Sequence, residues 1–217
     1  MIVLFGAPGS GKTTQVLKLA TALVDVQCEV EPTDGVKELI AGVYAKEPGA
    51  PFKLQSHVLE QRCKTYLAHQ SQKDKLMIAD GHILTDYLMF VEAHLESGAI
   101  SGDERVVYLR NYNQALADFK DTCAKIDVLI FLDVMSESAA KRVAKRESIA
   151  EAGVDAAVFE DFVEKAKWIA TSFPQDKLVI IDGDDPDEQR VHQKILSRLK
   201  PLVDPRHFST VAPDAPE

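Results

Sequence analysis

The apolar run Met1-Ile-Val-Leu-Phe5 leads directly into Gly6-Ala-Pro-Gly-Ser-Gly-Lys-Thr13. That second segment matches G-x-x-x-x-G-K-[ST]. Its glycines let backbone N–H groups curl around phosphate oxygens. Its lysine places a cation at the β/γ-phosphates, and its threonine hydroxyl is a ligand for Mg²⁺. The helical pattern that follows adds the positive end of a helix dipole. Gly6, Gly9, Ser10, Gly11, Lys12, Thr13 and Thr14 are therefore the expected polyphosphate cradle. A strand before the loop and a helix after it are the context in which this motif binds nucleotides.

The rest of the chain alternates in the same way. Short apolar runs at 28–31, 76–79, 128–132 and 178–181 read as strands. Segments at 13–24, 35–44, 53–70, 83–96, 104–124, 136–150, 155–171 and 187–199 read as helices, from apolar spacing near 3.6. Five strands alternating with helices predict an α/β chain: a three-layer P-loop fold, a five-stranded parallel sheet with helices on both faces. In such sheets the ligand lies beyond the carboxyl ends of the strands. Those ends carry Gly6, Glu31, Asp80, Asp133 and Asp182. Residues 1–200 read as one domain, and the proline-bearing 201–217 as a flexible tail.

Composition narrows the setting. Among 217 residues, 25 Lys+Arg face 34 Asp+Glu, a net charge of −9, which counts against broad nucleic-acid binding. No apolar run approaches the ~20 residues of a membrane span. Gly6 interrupts the first apolar run too early for a secretory signal. Cys28, Cys63 and Cys123 are widely spaced and odd in number, which suits free thiols in the cytoplasm.

Phosphoryl transfer to a hydroxyl needs a carboxylate to accept the proton and another on the metal side. Glu31 is assigned the first role and Asp80, with Thr13, the second. The plainer readings are a solvated residue before a proline turn and a helix cap. Asp133 either supports the phosphate loop or begins a turn. Lys141, Arg142, Lys145 and Arg146 cluster on one helix, and Arg142, Lys145 and Arg146 share a face. They are expected to form a helical lid, about 141–155, whose cations neutralise transition-state charge. The alternative is a solvated face with Glu137 pairing Lys141.

Taken together these motifs resemble the thymidylate kinase and deoxynucleoside kinase superfamily over residues 1 to about 200. Gly11-Lys-Thr-Thr-Gln15, Glu31-Pro-Thr-Asp-Gly35, Val128-Leu-Ile-Phe-Leu-Asp-Val134 and Ile181-Asp-Gly183 look like thymidylate kinase. Phe90 to Phe119 is closer in length to deoxynucleoside kinases. The resemblance implies ATP with Mg²⁺ and a small-molecule nucleoside or nucleotide acceptor. It further implies a possible homodimer, with Glu31 as general base and Arg142 and Arg146 as lid arginines. It places Gln55 near a base-reading glutamine, and Arg62 near a substrate arginine. Asp80-Gly81-His82 falls where the family has an acid, an arginine and a Ser, His or Tyr.

Gly81 and Val30 stand where relatives carry arginines that hold phosphate. A buried phosphate needs cations. A neutral hydroxyl acceptor, a pyrimidine-type deoxynucleoside, therefore suits the chain better than thymidylate, and His82 could compensate only if protonated. A hydroxyl on a modified base within DNA, or nucleotide binding without catalysis, are the more distant readings.

Overall fold

A computed structural model describes residues 1–30, 35–72, 74–121, 125–145 and 156–208, with no side-chain description at 156 and 157. Among these residues five parallel strands pair in the order β2-β3-β1-β4-β5. They are β1 (Ile2–Phe5), β2 (Val26–Glu29), β3 (Leu76–Asp80), β4 (Val128–Asp133) and β5 (Leu178–Asp182). The central strand is β1, so the phosphate loop emerges from the middle of the sheet. There the strand order reverses and opens a crevice.

Alternation along each strand sends side chains to opposite faces. Val3, Phe5, Met77, Ala79, Leu129 and Phe131 pack on one side. Their partners include α3 (Ala50–Gln70), α6 (Gly102–Asp118) and α8 (Ala156–Ser172). Ile2, Leu4, Ile78, Ile130 and Ile181 pack on the other, against α1 (Lys12–Ala22) and α9 (Glu188–Leu199). Both faces are covered, which explains the near-continuous apolar runs of β1 and β4.

The remaining helices are α2 (Val36–Tyr44), α4 (Ile83–Asp86), α5 (Glu92–Glu96) and α7 (Ser136–Lys145). The helix expected at 83–96 is not continuous: a π-helical turn, Tyr87–Val91, joins α4 to α5. The second strand lies at Val26–Glu29 rather than 28–31. Two residues of the expected tail, His207 and Phe208, pack against the segment that follows α1. The His207 ring is buried and its Nδ1 lies 3.0 Å from the Val24 carbonyl, while Phe208 bridges to Leu23. The rest of the expected tail, 209–217, lies outside the described residues, as do Cys123 and the expected lid from 146 to 155.

Candidate active site

The phosphate loop is shaped by its contacts. Gly9 has φ +81, and a Cβ there would stand 2.5 Å from the Ala139 carbonyl, so the loop lies directly on α7. Ser10 is buried and its N–H donates to the Ala7 carbonyl at 3.1 Å. Gly11, in the left-handed region, caps α1, leaving the first-turn amides of that helix without intrahelical acceptors. Lys12 Nζ donates to the carbonyls of Gly6 (3.1 Å) and Ala7 (3.2 Å). The ammonium is thus folded over the loop that would receive phosphates.

Register brings the acid of β3 beside that loop. Leu4 pairs with Asp80, and the Gly81 N–H donates to the Leu4 carbonyl at 3.0 Å. The Thr13 hydroxyl donates to Asp80 Oδ2. Asp80 is buried, and its Oδ1 has no hydrogen-bond partner among the described residues. A hydroxyl and a carboxylate oxygen side by side are hard oxygen donors, the set that suits Mg²⁺. The two expected metal residues are therefore together.

Gln55, Arg62 and His82, the residues expected to meet the acceptor, are all buried. Arg62 is nearly fully buried. Its Nε donates to Asp86 Oδ2 at 2.7 Å, its Nη1 to Glu29 Oε1 at 3.1 Å, and its Nη2 to the Asp80 carbonyl at 2.9 Å. Burial pulls the guanidinium down, but Asp86 and Glu29 together outweigh it and hold it above its ordinary range. Burial pushes Glu29 up to about 7, against the opposing pull of Arg62. Arg62 is thus an internal ion-pair hub. Gln55 is buried on the same helix, seven residues earlier and so on the same face.

His82 is fully buried and caps α4: its Nδ1 accepts the Leu84 N–H at 3.0 Å. An imidazole that accepts at Nδ1 is not a cation there, so His82 does not replace the missing arginine charge. Glu31 and Arg146 lie outside the described residues. Arg142 faces the nucleotide side, donating to the carbonyls of Gly183 (2.8 Å) and Gly9 (3.5 Å). A groove of about 580 Å³ along α7 is lined by Ser138, Lys141, Arg142, Ala144 and Lys145. Lys141 also pairs loosely with Glu137 at 4.0 Å, both exposed, as the plainer reading of that face has it. Asp133 lies 3.4 Å from Lys167, and its carbonyl accepts the Gly183 N–H at 2.7 Å. That bond ties the end of β4 to the residue that follows β5.

Sequence reasoning missed Glu29 and Asp86. The available signal was indirect: a buried arginine requires buried carboxylates, but nothing in the spacing says which.

Comparison with known proteins agrees with this fold. The sequence profile described as Deoxynucleoside kinase matches residues 2–204. No curated protein sequence matches the chain. A solved structure of deoxyadenosine kinase from M. mycoides with bound dCTP superposes with a TM-score of 0.73 at 19% identity, covering 93% of this chain and 100% of that one. The same enzyme with bound dATP gives 0.72 at 19% identity, covering 92% and 98%. With products dCMP and a flexible dCDP it gives 0.69 at 18% identity, covering 93% and 99%.

Proposed function

Because the chain belongs to the deoxynucleoside kinase family, we propose that it moves the γ-phosphoryl group of ATP to the 5′-hydroxyl of a pyrimidine-type deoxynucleoside, with deoxycytidine as the preferred acceptor. The observation that carries a nucleoside rather than a monophosphate is the state of Arg62. The buried cation on the acceptor side is already held by two carboxylates, Glu29 and Asp86. A dianionic acceptor phosphate would have to compete with both, whereas a neutral hydroxyl needs only a base.

The steps follow from the residues. Lys12 exchanges the Gly6 and Ala7 carbonyls for phosphate oxygens. Thr13 and Asp80 would hold the Mg²⁺ of the donor, which would supply positive charge against the phosphates. Glu31 accepts the proton of the 5′-hydroxyl as its oxygen bonds to the γ-phosphorus. The bond from that phosphorus to the β–γ bridging oxygen breaks, and ADP leaves. Arg146 of the lid adds positive charge over the transferring group.

The base preference rests on Asp86. Its carboxylate, oriented by Arg62, keeps 12% of its side-chain surface exposed. An acceptor of this kind favours an exocyclic amino group, which cytosine and adenine have and thymine lacks. The neighbours with dCTP and dATP carry these two bases. Gln55 completes the base-reading edge. The setting is a reducing cytoplasm, where Cys28 and Cys63 stay as thiols. Among the described residues no helix is long and apolar enough to cross a membrane.

A coupled ADP-release assay across the four deoxynucleosides and their monophosphates tests the proposal. Turnover with deoxycytidine, followed by deoxyadenosine, is expected. Turnover confined to monophosphates overturns it. Transfer of labelled phosphate into DNA would instead favour the polymer reading.

A further inference from the structure

Four elements converge on one guanidinium. Arg62 comes from α3, Glu29 from the end of β2, Asp80 from the end of β3 and Asp86 from α4. Glu29 pairs in register with Ala79, one residue before Asp80. Its Oε1 accepts Arg62 Nη1, and its Oε2 is buried with no partner among the described residues. Arg62 Nη2 in turn holds the Asp80 carbonyl. The carboxylate of that same residue receives the Thr13 hydroxyl. A continuous chain of contacts therefore runs from Glu29 through Arg62 to the main chain of Asp80, and on to the loop that carries the donor.

Gly81 belongs to the same arrangement. A Cβ at this position would fall inside van der Waals contact with Arg62 Nη2, and would lie 3.3 Å from Asp86 Oδ1. The residue also has φ +87, which disfavours a side chain in its own right. Two separate reasons thus keep it glycine, and one of them is the space that Arg62 occupies.

We infer that Glu29 is a positioning residue for phosphoryl transfer: through Arg62 it fixes the Asp80–Gly81 peptide, and so aims the carboxylate shared with Thr13, while Gly81 is glycine to give Arg62 its place. Glu29 does not reach the reacting atoms by any contact in the structure. It acts on them by holding Arg62, whose other bonds fix Asp80 and Asp86. The arrangement depends on a charge that is costly to bury. That cost is tolerated because a displacement of about 1 Å at a reacting centre lowers turnover by about 10²-fold. Neither loss of Glu29 nor a side chain at position 81 need unfold the chain, since an amide at position 29 fills the same space without a buried anion, but it gives Arg62 only an uncharged, weaker acceptor in place of a charge-assisted bond.

The inference rests on the kinase activity but not on the choice of base. The test uses the full chain, ATP and an equimolar mixture of the four deoxynucleosides. Glu29→Gln is expected to lower kcat by about 10- to 100-fold, with the KM for ATP within about threefold of wild type. Circular dichroism and a thermal midpoint confirm that the variant is folded. A kcat within threefold of wild type overturns the inference, whatever happens to the midpoint. A double-mutant cycle then separates the two reasons for Gly81. Gly81→Ala is expected to cost at least about tenfold more in kcat in the wild-type background than in the Arg62→Lys background, where the forked head is gone. Equal penalties in both would leave backbone strain as the sole reason and overturn the role given to Arg62. Lack of turnover by the wild-type chain with every deoxynucleoside would overturn the kinase reading itself, and this inference with it.

Discussion

Arg142 donates through Nη2 to the carbonyl of Gly183 at 2.8 Å. Through Nη1 it also reaches the Gly9 carbonyl, and its head lies 4.0 Å from Asp184. One guanidinium on α7 therefore ties the turn after β5 to the phosphate loop. Both segments border the crevice proposed to take the donor. Arg142→Ala should raise the KM for ATP by about tenfold and change kcat much less, because it loosens the donor cradle without touching the acceptor side. Arg142→Lys should recover little, since a single ammonium cannot span two carbonyls as a fork does. Steady-state kinetics with ATP varied at saturating acceptor provide the check.

Among the described residues, Lys12 Nζ donates to two main-chain carbonyls of its own loop, bonds it can exchange for phosphate. Lys12→Ala should lower kcat by about 10²–10³-fold or more, as expected for loss of a preorganised charge beside the transferring group. The helical signal and thermal midpoint should change little. Normal turnover in this variant would remove the loop from the reaction.

Glu31→Gln tests the proton acceptor. A glutamine keeps the size of the side chain and cannot take the hydroxyl proton. The expected loss in kcat is about 10²–10⁴-fold, with acceptor KM little changed. Unchanged turnover would take away the argument for a hydroxyl acceptor, because the case for Glu31 depends on its position before Pro32 at the end of the second strand region.

The parts of this fold that were legible in the sequence are those encoded locally. The run Met1 to Phe5 followed by the glycine loop announces a strand, a turn and a helix within a short stretch of chain. Val128 to Leu132 announces a strand buried on both faces. Thr13 is legible from the glycine-loop motif, and Asp80 meets it because parallel strands deliver their carboxyl ends to one edge beside that loop. What was hidden depends on distant partners. Glu29 and Arg62 are 33 residues apart, and a lone glutamate in a strand of mixed polarity carries no sign of its counter-ion. The π-helical turn at Tyr87–Val91 has the same composition as an ordinary helix; there Tyr87 stacks on Tyr112 with centroids 4.9 Å apart, a tertiary contact. Residues 201–208 read as loose because prolines and polar residues mark a tail. Yet buried His207 and the bridge of Phe208 to Leu23 set them against the segment between α1 and β2.

Glu29 also predicts a pH dependence of stability. Its carboxyl is raised from 4.5 to about 7, first by burial, with Arg62 opposing and Asp86 and Asp80 adding to the rise. Tyr66 and Cys63 on α3 feel the same charge. Between these two values the unfolded chain has lost the proton while the folded chain keeps it. The folded state therefore binds more protons, and stability falls as pH rises through the window. The contribution is fully present below about 4.5 and lost above about 7. It amounts to something on the order of 3 kcal/mol for a group this buried. Glu29→Gln cannot titrate, so the unfolding free energy of wild type minus that of the variant should decline across this range. Urea denaturation at pH 4.5, 5.5, 6.5 and 8 measures it. A difference that stays flat would mean that Glu29 is already fully ionised when folded, and that Arg62 outweighs burial.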